Sequence, residues 1–494
     1  VVASFGGVVH LYFADTRKVW KAGAVAGIDP GELAELFERR RLRTGTPILL
    51  DDAMRPVEPM STWFRRLAAD NMRPRSMRTY AYTALMLLNF LRARGLDLGS
   101  ASETDIDDFH YWRREHAEKT VEGATWDKDA GVITTLYAFL DDEGFVAGVP
   151  WRSTPRGKSP GSGTTRDLRV RHMELEQYLY FRDVGFGGLR PDAALDAEFR
   201  GWRPHRNRAA CELALLTGMR IREWSTLLLP ELGGSNGVRP RSTDVELAAC
   251  AKGGRERTVY IPADAMELLE PYLLLERPEI VARAQRTLRR RQRDLFVVTR
   301  LEADGTRVCG TLEGRAITRA VKDLTPDQRA VTVLETGDGL EPLALFVGRG
   351  GRMLSFSGWD RVRWRAWDRM KGWAARDREV VLPRRCWVYH DLRHTFALRL
   401  LIHLTREALN DARDQSLPMS TLLDHMTGNP LLVVQRRLGH ALPSTTYRYV
   451  RYLKDPMREV DDAFRDWTAA GDASYAAIAC RLLSLKEDAD AAQG

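Results

Sequence analysis

Cysteine is scarce. Five occur in 494 residues, Cys211, Cys250, Cys309, Cys386 and Cys480, and no two form a CxxC pair. That scatter gives neither a zinc ribbon nor a disulfide framework, and a reducing, cytoplasmic setting is expected. Long apolar runs are lacking too. Stretches such as LALLTGM and YLLL are far too short to cross a bilayer, so no membrane role is expected. The opening VVASFGGVVHLYF has neither an initiator Met nor a charged n-region, so it is not read as a signal peptide. A strong excess of one charge is absent: 75 Lys and Arg stand against 67 Asp and Glu, a net +8. That mild bias suits a polyanionic partner and equally suits a basic soluble enzyme. No fixed-period repeat is visible. What is present is a 44% hydrophobic content, enough for a sizeable core, and a length that fits two or three domains.

Residues 1–57 carry weak signals: a helix over Pro30–Leu42, then GTPILLDDAMRPVEP as a loop or short strand. From 58 to 150 the pattern is helical. Ser76–Arg94 puts Tyr80, Ala84, Leu87 and Leu91 on one face, with Phe90 beside them and Gly95 as the stop. Thr104 opens a second helix with cap chemistry, and Trp126–Leu140 places Ile133, Leu136, Tyr137 and Leu140 at helical spacing. Residues 151–172 begin with WRSTPRGKSPGSGTTR, a basic Pro/Gly/Ser-rich linker. Beyond it, Asn207–Leu229 reads as helix with a break at Thr217-Gly218, Ser242–Pro262 as a hairpin around Lys-Gly-Gly, and Met266–Leu275 as helix. Residues 283–294 are a basic run. DLFVVT, RAVTVLE and LALFVG look strand-like, and helices resume from Trp359. The fold class expected is mainly α with a small β-sheet (α+β).

Four segments carry chemistry: LLTGMRIREWSTLLL, AKGGRERTVYIP, YHDLRHTFALRL and LGHALPSTTYRYVRY. Singly, each has a plain explanation. Arg220 and Glu223 make an i,i+3 surface ion pair, Lys252 is a polar turn residue, and His390 with Arg393 is a polar helix start. Together, and in this order, they resemble the tyrosine recombinase (phage integrase) family. The matches are Thr217-Gly218-x-Arg220-x-x-Glu223, Lys252 on a hairpin, His390-x-x-Arg393 running into RHTFA, Leu438-Gly439-His440, and Tyr449 nine residues after that His. The resemblance spans about 173–460, and the 58–150 block is similar to the family's core-binding, DNA-binding domain in size, pattern and position.

The resemblance implies site-specific cleavage and rejoining of double-stranded DNA through a 3′-phosphotyrosyl link, for integration or excision of a mobile element. It implies Tyr449 as nucleophile, Arg220 and Arg393 as a clamp on the phosphate, and His440 as a further hydrogen bond to it. His390 is then the base, Lys252 the acid for the leaving 5′ oxygen, and Glu223 a buttress. The chemistry fits. Guanidiniums are permanently charged and fork onto two oxygens, while a phenol of pKa about 10 needs help to ionise. No cofactor or metal is required. The family acts as a homotetramer on DNA, at times with an accessory DNA-bending factor, which would place the protein on the nucleoid. Arg156 and Lys158 of the linker and Arg78 of the helical domain are expected DNA contacts, the two domains closing as a clamp on the duplex.

Of the neighbouring tyrosines, Tyr447 would point about 200° from Tyr449 on a helix, which leaves Tyr452 as the rival. Two spacings are longer than the family's. Lys252 and His390 stand 138 residues apart, which points to an insertion near 289–340, and the stretch between Arg393 and His440 reads as an inserted or extended helix near 405–430. Residues 461–494 read as a helical tail. HDLRH offers two His at zinc spacing, but Arg393 lies inside the pair and no acidic third ligand follows. GRGG at 348–351 lacks the ending of a phosphate loop and reads as a turn. A type IB topoisomerase uses the same nucleophile, and a non-catalytic DNA-binding protein is the non-enzymatic alternative.

Overall fold

The structure is a computed structural model describing residues 8–15, 27, 29–39, 43–118, 120–151, 171–233, 241–312, 314–376, 382–414, 430–447 and 449. The linker residues Arg156 and Lys158, the stretch 415–429, Tyr452 and the tail 461–494 lie outside the described residues. The chain divides into two compact units, Val1–Asp167 and Leu168–Gly494. Among the described residues no helix is long and apolar enough to cross a membrane.

The first unit is built from helices Pro30–Arg39, Met60–Ala69, Pro74–Ala93, Glu103–Tyr111 and Gly123–Asp142. The face read from the sequence is the buried one: Ala84, Leu87 and Leu91 meet Trp63, Phe109, Trp126, Ile133, Leu136 and Leu140 in one core. The 103–111 helix is capped by Ser102, not Thr104. Asp105 N–H donates to the Ser102 hydroxyl at 3.4 Å and Ser102 N–H donates back to the Asp105 carboxylate at 2.8 Å, so Thr104 already lies inside the helix. Strand β1 (His10–Phe13), unread in the sequence, pairs antiparallel with β2 (Pro47–Leu50). Arg78 is exposed and lies over the rings of Phe13 and Tyr82, at 5.0 and 5.7 Å.

In the second unit, helices Pro204–Thr217, Ala263–Pro271, Phe356–Ala374 and the long Tyr389–Asp414 surround a core of Leu213, Trp224, Leu269, Tyr272, Phe346, Trp359, Tyr389 and Leu392. The hairpin is β3 (Thr243–Leu247) and β4 (Arg257–Ile261), with Val245, Leu247, Val259 and Ile261 facing in by strand alternation. Residues 296–342 form a five-stranded sheet: β5 (Phe296–Leu301), β6 (Arg307–Leu312), β7 (Arg315–Ala320), β8 (Thr332–Thr336) and β9 (Gly339–Pro342). Their order is β7-β6-β5-β8-β9, parallel only between β5 and β8. One face carries Phe296, Val298 and Val308 against Leu228. Val297, Val333 and Leu340 on the other cover Ala284 and Leu288 of helix Arg277–Arg290.

The basic run at 283–294 falls largely on that helix. Arg283, Arg286, Arg289 and Arg290 occupy the solvent side of an amphipathic helix whose apolar stripe is Ile280, Val281, Ala284 and Leu288. LALFVG is not a sheet strand: its backbone makes single bridges, Ala344 to Leu228 and Val347 to Met353, while the GRGG stretch forms a tight turn at Arg349–Gly351.

Candidate active site

Helix 204–217 stops at Gly218, whose φ of +60° is left-handed and where a Cβ would come within 2.4 Å of the Phe396 ring. The turn delivers Arg220 to the start of a short helix, Ile221–Trp224. Glu223 is wholly buried there. Its carboxylate accepts from the Arg220 backbone N–H at 2.7 Å and the Arg220 guanidinium at 3.1 Å, an i,i+3 pair that is buried at Glu223 and not the surface pair the spacing alone suggests. Arg257, the first residue of β4, forks onto the same carboxylate at 3.0 and 2.8 Å. Burial alone would raise the Glu223 pKa, but the hydrogen bonds and charge of Arg257, joined by those of Arg220, hold it below the ordinary value. Glu223 therefore stays ionised and fixes two arginines.

Arg393 is the hub. It sits near the start of helix 389–414, is 1% exposed, and donates to the carbonyl oxygens of Gly218 at 2.6 Å and Leu438 at 2.5 Å. One buried guanidinium thus ties the TGMR turn to the LGH turn. Burial first, then the charge of Arg220, pushes its pKa down to about 9, so it remains cationic at neutral pH. Two of its five N–H donors serve the backbone.

Helix Pro430–Leu438 ends at Gly439, with φ +61°, where a Cβ would meet the Arg257 side chain at 2.8 Å. Next, His440 Nδ1 lies 2.9 Å from the Thr446 hydroxyl. Tyr449 follows the short helix Ser444–Tyr447 and is 1% exposed, packed with Ala397, Leu401, Val434 and Leu438. Its ring is nearly parallel to that of His440 at 6.4 Å. Its hydroxyl lies 2.8 Å from His394 Nδ1. Tyr447 is 56% exposed. It ends the helix that Tyr449 lies beyond, so the helical projection does not relate the two, and burial separates them instead.

Arg220, Glu223, Arg393, His440 and Tyr449 are therefore brought together from segments far apart in the chain. Lys252 is exposed at the turn Lys252–Gly254, where Gly253 and Gly254 take positive φ. His390 stands one helical turn before His394, their rings 4.4 Å apart. Two further residues, Arg257 and His394, join the site. Arg257 left a signal, since it shares the inward face of RTVYI with Val259 and Ile261, an unusual place for a charge. The spacing of His394 from His390 suggests a zinc pair, and nothing in it marks a partner of Tyr449.

No protein-family profile matches the sequence, and no curated protein matches it. Solved structures that it resembles include recombinases and integrases. The XerH site-specific recombinase bound to difH substrate, in a pre-cleavage complex, is 17% identical, with 83% of this chain and 85% of that chain covered at a TM-score of 0.42. The Tn1549 transposon integrase in complex with circular intermediate DNA is 12% identical over 81% of this chain and 97% of that one, with a TM-score of 0.43. A lambda integrase dimer bound to a COC′ core site is 12% identical over 79% and 75%, with a TM-score of 0.38. The functional assignment rests on the side chains described above and not on these likenesses.

Proposed function

We propose that the protein is a tyrosine-type site-specific DNA recombinase. The observation that carries this reading is the convergence at Arg393: a buried cation bonded to Gly218 and Leu438, beside the Glu223-held Arg220, with a buried tyrosine nearby whose hydroxyl meets a histidine. A phosphodiester is anionic and gathers charge on its non-bridging oxygens during attack. Two fixed guanidiniums are suited to that charge, with His440 adding a donor.

In the proposed step the Tyr449 oxygen forms a bond to phosphorus as the bond to the 5′ oxygen breaks. The phenolic proton passes to a histidine, and the 5′ oxygen takes a proton from Lys252. Rejoining is the reverse with a new 5′ end, so no nucleotide is consumed. The 2.8 Å contact supports His394 over His390 as the proton acceptor. His394→Asn is then expected to slow single-turnover cleavage by roughly a hundredfold at neutral pH. The same change at His390 with His394 unaffected would return the role to His390.

The test of the function is a nicked suicide duplex carrying the target site. A covalent 3′-linked adduct is expected, and it should form in excess EDTA because every group in the step is a side chain. An adduct that requires added metal would revive the histidine-pair reading. Strand exchange between two sites distinguishes a recombinase from a type IB topoisomerase, which would relax supercoils without exchange. Service to a mobile element, a homotetramer on two sites and an accessory bending factor belong to the same proposal.

The linker is proposed to track the DNA backbone. Each neutralised phosphate contributes about −0.9 to the slope of log affinity against log salt, so replacing Arg156 and Lys158 together by Ala should flatten that slope by up to roughly two units. Specific and random duplexes should weaken alike, since backbone contacts carry no sequence information. A salt titration with an unchanged slope would remove the linker from the interface.

A further inference from the structure

We propose that the five-stranded sheet inserted after the hairpin is a brace that sets the position of Lys252, with Lys322 as the coupling residue. The inference rests on the reading of Lys252 as the acid for the leaving oxygen.

The brace begins at a buried anchor. Arg329, wholly buried between β7 and β8, uses all five of its N–H donors. Nε donates to the Leu324 carbonyl at 3.0 Å and one terminal nitrogen to that of Val321 at 2.9 Å. The guanidinium also forks onto Glu231 at 2.6 and 2.7 Å and reaches the Thr226 carbonyl at 3.2 Å. Glu231 and Thr226 lie just beyond the short helix that begins after Arg220. The segment 321–324 is therefore fixed to the arginine side of the site by an ion pair that excludes water.

Lys322 sits within that segment and reaches the hairpin at three points. Its ammonium lies 2.5 Å from Glu256, just before β4, and 3.0 Å from Glu246 on β3. Its carbonyl accepts from the Ala249 N–H at 3.1 Å. These contacts bracket Lys252 in sequence, with 246 and 249 on one side and 256 on the other. The hairpin is held a second time through Arg257, which forks onto Glu223 and so onto Arg220. The turn carrying Lys252 is thus suspended between two supports, both tied to the segment that presents the phosphate-binding arginine.

An exposed ion pair adds little to global stability, so stability does not account for this arrangement. Position does. A general acid must come within about 2.6–3.2 Å of the atom it protonates, and a misplacement of about 1 Å can cost on the order of a hundredfold in rate.

The experiment compares single-turnover cleavage of an ordinary suicide duplex with one whose scissile 5′ bridging oxygen is sulfur. A thiolate leaves without protonation, its conjugate acid having a pKa of about 8.5, so the sulfur duplex bypasses the need for an acid. Lys322→Glu is expected to slow the ordinary duplex by about tenfold or more, with DNA binding retained and the sulfur duplex cleaved within about twofold of the unaltered protein. Lys322→Arg, which keeps the charge, should restore most of the rate. Lys252→Met should show the same pattern more strongly. With that Lys252 pattern intact, a Lys322→Glu variant that is unimpaired, or equally slow on both duplexes, overturns the brace alone. If Lys252→Met is not rescued by sulfur, the acid role of Lys252 fails and the brace fails with it.

Discussion

Tyr449→Phe is expected to bind DNA as tightly as the unaltered protein and to form no covalent adduct on a nicked suicide duplex. The variant loses a single oxygen atom. The ring keeps its place against Ala397, Leu401, Val434 and Leu438, so folding should be little disturbed. The atom lost is the one that lies 2.8 Å from His394 and the one asked to attack phosphorus. Phenylalanine offers no nucleophile, so adduct formation should fall below detection rather than decline by degrees. Gel analysis of adduct and electrophoretic titration of binding measure the two effects separately. An adduct that persists in Tyr449→Phe would transfer the role to a neighbouring tyrosine and break the link between burial and function.

Removing either arginine is expected to be nearly as damaging. Arg220→Ala and Arg393→Ala should each slow cleavage by roughly 3–4 kcal/mol, the cost of losing one donor to a charge that develops in the transition state. They should differ in a second measurement. Arg220 is partly exposed and its loss leaves Glu223 still paired with Arg257, so thermal stability should change modestly. Arg393 is buried and bonded to two carbonyls, so its loss leaves the Gly218 and Leu438 oxygens without those bonds and should also lower Tm. Arg393→Lys keeps a charge but cannot reproduce the fork, and should remain well below the unaltered rate. Near-normal cleavage by either alanine variant would contradict the phosphate clamp.

Much of this was legible in the residues because it is local. Helical periodicity marked the helix with Ala84, Leu87 and Leu91 inward, strand alternation marked Val245 to Ile261, and the TGMR, HDLR and LGH segments stood out by spacing. What the sequence hid was long-range. β1 and β2 pair across more than thirty residues, and β1 is only four residues long with no fully buried position, too short for a period-2 pattern to stand out. β6 and β7 escaped notice for a related reason: RAITRA is an edge strand with no fully buried position, so its composition reads as loop. The roles of Arg257, His394 and Arg329 depend on which distant carboxylate, phenol or carbonyl each meets, and no one-dimensional pattern encodes that. The helical projection separated Tyr447 from Tyr449 on a premise that does not hold, since the helix ends at Tyr447, while the difference in burial separates them on physical grounds.

The most direct measurement is to digest the trapped protein–DNA adduct and sequence the peptide that remains on the DNA by mass spectrometry. The account predicts one modified residue, Tyr449, joined to a 3′ phosphate with a free 5′ hydroxyl on the other strand end. A peptide modified at Tyr447 or Tyr452, a 5′ linkage, or cleavage with no peptide attached would contradict it.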